Sequence, residues 1–600
     1  MTTRATRSPR RRTVVALAVV LAVLAAFVVR LVDIQVVNAK EHLADSFSLG
    51  MESGRTLHGT RGKIVDTTGA TLATSILLYD GVLDPMNAVK GVPKGDADPA
   101  STDPADRIPW EELAGRIGAV TGQSAADVQQ IVADALAENA GSRFAYLKRS
   151  LTTEQYRRLA DLDLPFLSFE QHPARTYPDG AVAGNVIGFV GSDGTPLEGI
   201  ESLQDGCLAA TDGKIRYQRG KDGVVIPGTE VSQPAVDGGT LQLTIDRDLQ
   251  WYMQQLIAEQ TQNLGADSGA ILVVEVATGK IRAAAEYPTV DPNDFDAVEA
   301  DDRGTRLFRY SYEPGSTFKP VTAATAIEAA GLTPLSTEVV PDREIFPNGA
   351  DISDSEPHDT ETMTLAGGLV NSSNVAMSKF GSQVSPEVRL EYLKKFGVGA
   401  GTALDWSGEP DGVYLPVEDW DNQTLYTTTF GQAFTVTAPQ VASVYQTIAN
   451  DGVRMPLSLV ESCTTADGTV EKPDLPGPER VIKKETAADV SLMLENVFAQ
   501  GTLAEDIAIP GYRMAGKTGT AQKVDPATGT YKDNLYYTSL VGFAPADDPK
   551  YVVLTAFDEP KKVRMSAANR PAFVKAMTQV LKHYRIMPSG STTPLLPLTD

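Results

Sequence analysis

An α+β fold behind a single N-terminal apolar helix is what this sequence predicts, on three observations. Strand-like runs open and close the second half of the chain, with helix-spaced apolar residues between them. A composition of 42% apolar and 22% charged residues, with 37 prolines and 51 glycines, reads as a globular chain rich in turns and strands and not as a long helical rod. The start carries Arg4, Arg7, Arg10, Arg11 and Arg12 ahead of an apolar run from Thr13 to Val29. At 600 residues the chain is too long for one ordinary core and divides into two or more domains.

The apolar run is short for a spanning helix of about 20 residues, but Arg30 can snorkel and Leu31, Val32 and Ile34 extend the apolar face. Basic residues before it place the N-terminus in the cytoplasm and the remainder outside. A cleaved signal peptide is the competing reading, because Ala22, Ala25 and Ala26 can supply a small-residue cleavage site. Apolar residues continuing past those alanines without a polar break favour an uncleaved anchor.

A formal charge of −24 argues against nucleic acid as a partner, since phosphate binding needs Lys and Arg to release counterions. The five histidines, His42, His58, His172, His358 and His583, show no metal-ligand spacing, and neither do the two cysteines, so no zinc chemistry is expected. Cys207 and Cys463 can pair in an oxidising compartment, but residues so distant more often mean two small buried side chains.

Along the chain, Arg55 to Thr74 reads as short strands punctuated by Gly59, Gly62 and Gly69, and Val92 to Arg107 as a surface loop. Helices are predicted over Trp110–Ile117, Ser124–Ala137 and Thr152–Leu162, with Ser124 and Thr152 as N-caps. After Gly239 the pattern restarts with a strand, TLQLTID, and a helix from Asp248 to Leu264. AILVVEV and IRAAAEY around Ala277-Thr278-Gly279-Lys280 give a hairpin signal. Strands return at Leu540–Pro545 and Tyr551–Phe557 before a helix over Pro571–Tyr584. The last stretch, Pro588 to Asp600, is rich in Pro, Ser and Thr and reads as disordered.

Three short motifs lie in order in this second half: Ser316-Thr317-Phe318-Lys319, Ser372-Ser373-Asn374 and Lys517-Thr518-Gly519-Thr520. Pro314-Gly315 predicts a turn and Val321 to Ala330 a helix closed by Gly331, so a helix should begin near Ser316 and set Lys319 beside it on the same face. A serine hydroxyl becomes a nucleophile when a base takes its proton. Lysine serves as that base when burial and nearby positive charge, here Lys517, keep it neutral. Ser-x-x-Lys alone is also an ordinary helix cap, but Lys319 is the one lysine with serine three residues before it, and the other motifs follow it in order. Gly511 to Thr518 also satisfies G-x-x-x-x-G-K-[ST], yet Gly519 and Pro526 leave no helix after it to form a phosphate-binding loop.

With these motifs, and with RLVDIQVV (30–37), RGKIVDTTGATLA (61–73), RTYPDGAVAGNVIGFVG (175–191), EGIE (198–201), EYPTVDPND (286–294), TTTFGQAFTVTAPQVASVYQTIANDG (427–452) and SLVGFAPADDPKYVV (539–553), the chain resembles the class B penicillin-binding proteins, and most closely their division-type septal transpeptidases. The resemblance implies a cytoplasmic tail (1–12), a transmembrane anchor (13–32), a non-catalytic mixed α/β pedestal of the dimerisation type (33–235), and a transpeptidase domain (236–587). That domain would share the serine β-lactamase-like fold, an antiparallel sheet flanked by helices, and 588–600 would be a disordered tail.

It further implies that Ser316 attacks the penultimate D-alanine of a stem pentapeptide with Lys319 as base. Ser372 would relay a proton to the leaving amine, Asn374 would orient Lys319 and the substrate amide, and Lys517 would supply positive potential. Thr518 and Thr520 would hold the substrate carboxylate beside Gly519, with the backbone N–H groups of Ser316 and Thr520 forming an oxyanion hole. β-Lactams would acylate the same serine. No metal or organic cofactor is implied. Partners would be the cytoplasmic membrane, a glycosyltransferase and other division proteins. Thr518 stands where the subgroup often has serine, and Gly304 to Arg309 departs from its usual asparagine-arginine version. The rival readings are a serine β-lactamase or penicillin-sensing receptor, which would share fold and motifs, and a division scaffold acting through anchor and pedestal.

Overall fold

The computed structural model describes residues 9–38, 52–95, 98, 101, 103–218, 225–524 and 530–600. Arg4, Arg7 and His42, with most of the 1–12 tail, lie outside the described residues. The chain folds as two compact units, residues 1–60 with 210–237 and residues 61–209 with 238–600.

The first unit carries the helix Pro9–Val32, which runs on through a π-helical turn, Asp33–Val37. Its apolar side chains from Val14 to Val37 are exposed. A helix apolar on all sides has no water-facing stripe and is stable in hydrocarbon. Among the described residues Thr13–Val37 is the one stretch long and apolar enough to cross a membrane. The same unit holds an antiparallel sheet in which Gly213–Gln218 lies between Glu52–Leu57 and Val231–Gln233.

In the second unit, residues 61–209 pack helices against sheet strands. Trp110–Thr121 ends at Gly122 in the left-handed conformation (φ 77°), and Ala125–Glu138 starts at a capping box between Ser124 and Asp127. A second capping box, Thr152 with Gln155, opens Thr153–Ala160. Trp110, Leu113, Ile117, Val128 and Val132 share one core with Leu147, Leu151 and Phe166. Where a bare loop was expected over 92–107, Val92–Pro93 pairs with Arg107–Ile108 and closes it.

Three of the separated segments quoted above meet at one buried carboxylate. Glu201 is fully buried; its oxygens accept from Arg61 Nε and Arg175 Nε, each at 2.6 Å, and Tyr177 Oη donates to it at 3.3 Å. Arg61 also reaches Asp205, and Arg175 donates to the Gly62 carbonyl. The pattern of a buried anion satisfied by two guanidinia explains why those arginines and that glutamate occur in otherwise unrelated stretches.

Ile64–Val65 pairs in parallel with Thr240–Leu243, which pairs antiparallel on its other side with Val460–Thr464, all within a mixed seven-stranded sheet. This pairing corrects the cysteine expectation. Leu241 stands opposite Cys463, and Gly239 N–H donates to the Cys207 carbonyl, so the two sulfurs meet and are disulfide-bonded instead of lying apart as buried thiols.

A five-stranded sheet positions the site. Its strands are β1 (Ser268–Glu275), β2 (Ile281–Tyr287), β3 (Ala515–Val524), β4 (Tyr531–Ala544) and β5 (Tyr551–Asp558), all antiparallel in the order β2-β1-β5-β4-β3. The predicted hairpin is β1–β2, and the C-terminal strand β5 pairs with β1, so the lobe is closed by its own ends. Helix α1 (Arg247–Leu264) precedes β1; α2 (Lys319–Ala330), α3 (Leu365–Val370), α4 (Asn374–Gly381), α5 (Ala438–Ala449) and α6 (Lys484–Gln500) lie between β2 and β3; and α7 (Arg570–His583) follows β5. Strands β1 and β5 are buried along nearly their whole length, covered by α1 and α7, which pack on each other, and by α5, which packs on α6. Their continuous apolar runs are what two covered faces require.

The C-terminal stretch corrects a second expectation. Residues 588–600 are not disordered: Thr364 N–H donates to the Leu598 carbonyl at 2.9 Å and Asp600 N–H to the Thr362 carbonyl at 3.0 Å. Asn496 and Gln500 of α6 bond the backbone of Pro594 and Leu596, and Thr593 donates to Glu495. A side chain on Gly367 would lie 2.0 Å from the Leu598 oxygen. Composition missed this because a Pro-rich strap satisfies its backbone from side chains of a neighbouring helix and needs no core of its own. Removing residues 588–600 should lower the unfolding free energy by about 3 kcal/mol, read from urea titration, through the loss of these bonds.

Candidate active site

The turn that presents Ser316 is fixed before any helix begins. Gly315 takes a positive φ of 56°, its N–H donates to the Gly431 carbonyl at 2.8 Å, and Thr317 Oγ1 donates to the Pro314 carbonyl at 2.8 Å. Gly431 is itself at φ 87°, where a Cβ would stand 2.0 Å from the Gly315 oxygen, so close approach requires glycine at 431 and the left-handed backbone favours it at 315. Buried Tyr445 donates to the Thr317 carbonyl at 2.9 Å. The predicted helix starts as a 3-10 turn, Gly315–Phe318, and becomes α-helical at Lys319, with Pro320 in the first turn and Gly331 (φ 69°) closing it.

Lys319 is fully buried while Ser316 is half-buried. Between them sits Ser372. Lys319 Nζ donates to Ser372 Oγ at 3.2 Å and to the Ser372 carbonyl, and Ser372 Oγ lies 3.1 Å from Ser316 Oγ. The expectation of a direct side-by-side contact is thereby altered: the hydrogen-bonded line runs Lys319, Ser372, Ser316. Ser372 has φ 56°, an uncommon conformation for a residue with a side chain, and it is held there by its N–H bond to the Leu369 carbonyl and by Ser373, which caps α4.

Asn374 departs from its expected role. Its side-chain amide donates to the Ser353 carbonyl at 3.0 Å, and among the described residues it makes no hydrogen bond to Lys319. The third motif lies on β3, the edge strand, whose residues 517–520 pair with Val541 to Thr538 of β4. This is extended chain with no following helix, which disposes of the phosphate-loop match. Lys517 is buried, with Nζ 3.4 Å from Thr518 Oγ1. Gly519 acts as a spacer: a Cβ there would meet Ser539 Oγ at 2.7 Å and Thr317 Cγ2 at 2.8 Å, so only glycine lets the edge strand lie against the Ser316 turn. Thr520 is exposed, and its Oγ1 accepts the Ser566 N–H at 3.0 Å.

Electrostatics follow from burial. Desolvation, then the charge of Lys517, holds the Lys319 amine well below the ordinary lysine range, with Asp354 opposing. Burial lowers Lys517 to about 7. Two ammonium groups cannot both be charged cheaply in one dry site, so the pair gives up a proton more readily than two separate lysines would. An amine whose charged form is disfavoured, hydrogen-bonded through a hydroxyl to a half-exposed serine, can accept that serine's proton.

Residues that sequence reasoning did not single out complete the surroundings: Asp354, His358, Gly431 and Tyr445. Gly431 and Tyr445 lie far along the chain from the Ser316 turn they hold, and Asp354 and His358 sit in a loop after a short strand. None forms a local pattern, and only the long-range contacts reveal them.

A family model for the penicillin-binding protein transpeptidase domain matches residues 269–579, and one for the penicillin-binding protein dimerisation domain matches residues 56–243. The chain is 36% identical over 467 residues to penicillin-binding protein PbpB of Mycolicibacterium smegmatis, covering 76% of this chain and 72% of that one. It is 31% identical over 537 residues to peptidoglycan D,D-transpeptidase FtsI of Escherichia coli, covering 89% and 85%. Among solved structures it is similar to a peptidoglycan synthetase from Bifidobacterium adolescentis (28% identity, TM-score 0.71, 92% of this chain and 100% of that one). It is similar too to penicillin-binding protein 3 of Mycobacterium tuberculosis complexed with aztreonam (26% identity, TM-score 0.69, 91% and 100%).

Proposed function

The chain belongs to the class B penicillin-binding proteins, and from that premise we propose that it is a membrane-anchored peptidoglycan D,D-transpeptidase of the septal type, working through an acyl-enzyme on Ser316. The observation that carries the assignment of roles is the line from buried Lys319 through the Ser372 hydroxyl to Ser316 Oγ. The neutral amine draws the Ser316 proton through Ser372. Ser316 Oγ then bonds to the carbonyl carbon of the penultimate D-alanine. The C–N bond to the terminal D-alanine breaks, and that amine leaves with the proton returned through Ser372. An amine of a neighbouring stem peptide attacks the ester, giving the crosslink and restoring the serine.

In the same reading the cation on Lys517 and the hydroxyls of Thr518 and Thr520 receive the substrate carboxylate. Thr520 can still donate its O–H while accepting from Ser566. Asn374, whose amide is engaged by Ser353, anchors the turn that carries Ser372. The backbone N–H groups of Ser316 and Thr520 take the oxyanion, supported by the closeness that Gly519 permits. β-Lactams acylate Ser316 by the same steps.

The residues 33–235 serve as pedestal and 236–587 as transpeptidase domain, a division supported by the two family matches over 56–243 and 269–579. The basic cluster ahead of the apolar helix supports a cytoplasmic N-terminus and an extracytoplasmic catalytic domain. A glycosyltransferase that supplies uncrosslinked strands, and other division proteins, are the partners this reading calls for.

The test is a turnover assay on the detergent-solubilised full chain, with a synthetic stem peptide ending in D-alanyl-D-alanine and an amine acceptor. Ser316→Ala should reduce both D-alanine release and crosslinked product by at least about a thousandfold, with the near-UV circular dichroism unchanged. Crosslinking that survives the substitution contradicts the reading.

A further inference from the structure

One acidic residue outside the three motifs reaches both of their helices. Asp354 follows the short strand Asp351–Ser353, and its side chain is 7% exposed. Its Oδ1 accepts the backbone N–H groups of Asn374 and Val375, the latter at 3.0 Å, which are the first unpaired donors of α4. The neighbouring Ser353 carbonyl takes the Asn374 amide. These bonds fix the turn that carries Ser372 in its left-handed conformation. The same carboxylate lies close enough to Lys319 to act on its charge.

The other oxygen of Asp354 is met by His358 Nε2 at 3.0 Å, while His358 Nδ1 lies 2.7 Å from the Asp359 carbonyl oxygen. Both ring nitrogens therefore face acceptors, and both contacts are hydrogen bonds only when the imidazole carries two protons. Burial lowers the His358 pKa, but the hydrogen bonds to Asp354 and to the Asp359 carbonyl, with the charges of Asp354 and Glu361, outweigh it and raise the pKa overall. Lys319 is also acted on by the charge of Lys517 from β3.

We propose that Asp354 and His358 form a positioning pair for the transpeptidase reaction: the carboxylate holds the Ser372–Asn374 turn in place, and the imidazolium masks its charge so that Lys319 stays neutral. Neither side chain touches substrate. The inference rests on Lys319 acting as the base.

Two substitutions separate this role from a merely structural one because they move Lys319 in opposite directions. Asp354→Asn keeps an oxygen for the two N–H groups and removes the negative charge, so the amine deprotonates more readily. His358→Gln leaves the carboxylate unmasked, so the amine holds its proton more tightly. The experiment is the rate of Ser316 acylation by a fluorescent penicillin on the full chain in detergent, from about pH 5 to about pH 10. The acid limb should shift down by about one unit in Asp354→Asn and up by about one unit in His358→Gln. Asp354→Ala, which leaves two helix donors without an acceptor, should lose about tenfold at every pH. If both conservative variants keep the parent limb, or shift it the same way, the pair has no such role. If the parent chain itself shows no acylation of Ser316, it is the transpeptidase reading that fails.

Discussion

Replacing Lys319 by alanine should slow acylation of Ser316 by penicillin by about a thousandfold or more, although the nucleophile and its turn are untouched. The effect is large because, among the described residues, Lys319 is the amine hydrogen-bonded to the line of hydroxyls that ends on Ser316. The Ser372 hydroxyl passes a proton but has no basicity of its own, and Lys517, the other buried amine, is hydrogen-bonded only weakly to Thr518. The pH profile of the parent chain follows from the same burial. Acylation needs the deprotonated amine, so its rate rises with pH through the Lys319 pKa, which desolvation and Lys517 hold well below the usual lysine value. The rising limb should therefore sit well under about pH 10.4. Replacing Lys517 by alanine removes the charge that disfavours the protonated form of Lys319 and moves that limb upward.

The sign for stability is the reverse of that for a paired lysine. Both amines bind their protons more weakly in the folded chain than in the unfolded one, so the unfolded state takes up more protons between the folded values and about pH 10.4. Their contribution to stability rises with pH across that window and is least at low pH. The parent chain should gain stability over that range relative to a Lys319→Ala, Lys517→Ala double variant, as measured by urea unfolding.

Replacing Glu201 by alanine should cost about 3–5 kcal/mol of folding stability, a large part of the roughly 5–15 kcal/mol that holds a typical domain. The side chains of Arg61 and Arg175 are 13% and 5% exposed, and each would be left without its buried anion. Arg61 retains Asp205 and Arg175 retains the Gly62 carbonyl, which limits the loss but does not remove it. The measurement is the urea midpoint by tryptophan fluorescence. A loss below about 1 kcal/mol would mean that solvent reaches those arginines and that the cluster is no support. Molecules that remain folded should acylate Ser316 at the parent rate, since Glu201 makes no contact with any of the three motifs. The two predictions thus divide the protein: one substitution removes chemistry and spares the fold, the other weakens the fold and spares the chemistry.

What was legible in the sequence was whatever is local. The caps at Ser124 and Thr152, the β1–β2 hairpin and the apolar runs of β4 and β5 are written in adjacent residues, and each formed as read. The three motifs converge because a helix start, a helix cap and an edge strand are themselves local structures, and the closed sheet brings them together. What stayed hidden depends on partners far along the chain. The Cys207–Cys463 bond spans 256 residues and becomes intelligible only once Leu241 pairs with Cys463. The final strap reads as disordered because its partners, Glu495, Asn496 and Gln500, are polar residues of a distant helix. Asn374 illustrates the limit of carrying roles by motif: the resemblance turns its amide toward Lys319, whereas the amide donates to Ser353, a partner no spacing rule supplies.

The most direct test of the account is to react the full-length chain with a labelled penicillin, measure its intact mass and map the label to a peptide. The account predicts one adduct per chain, on the peptide that contains Ser316, and none in the Ser316→Ala variant. An adduct on any other residue, or an unchanged yield from that variant, would contradict the claim that this serine is the nucleophile.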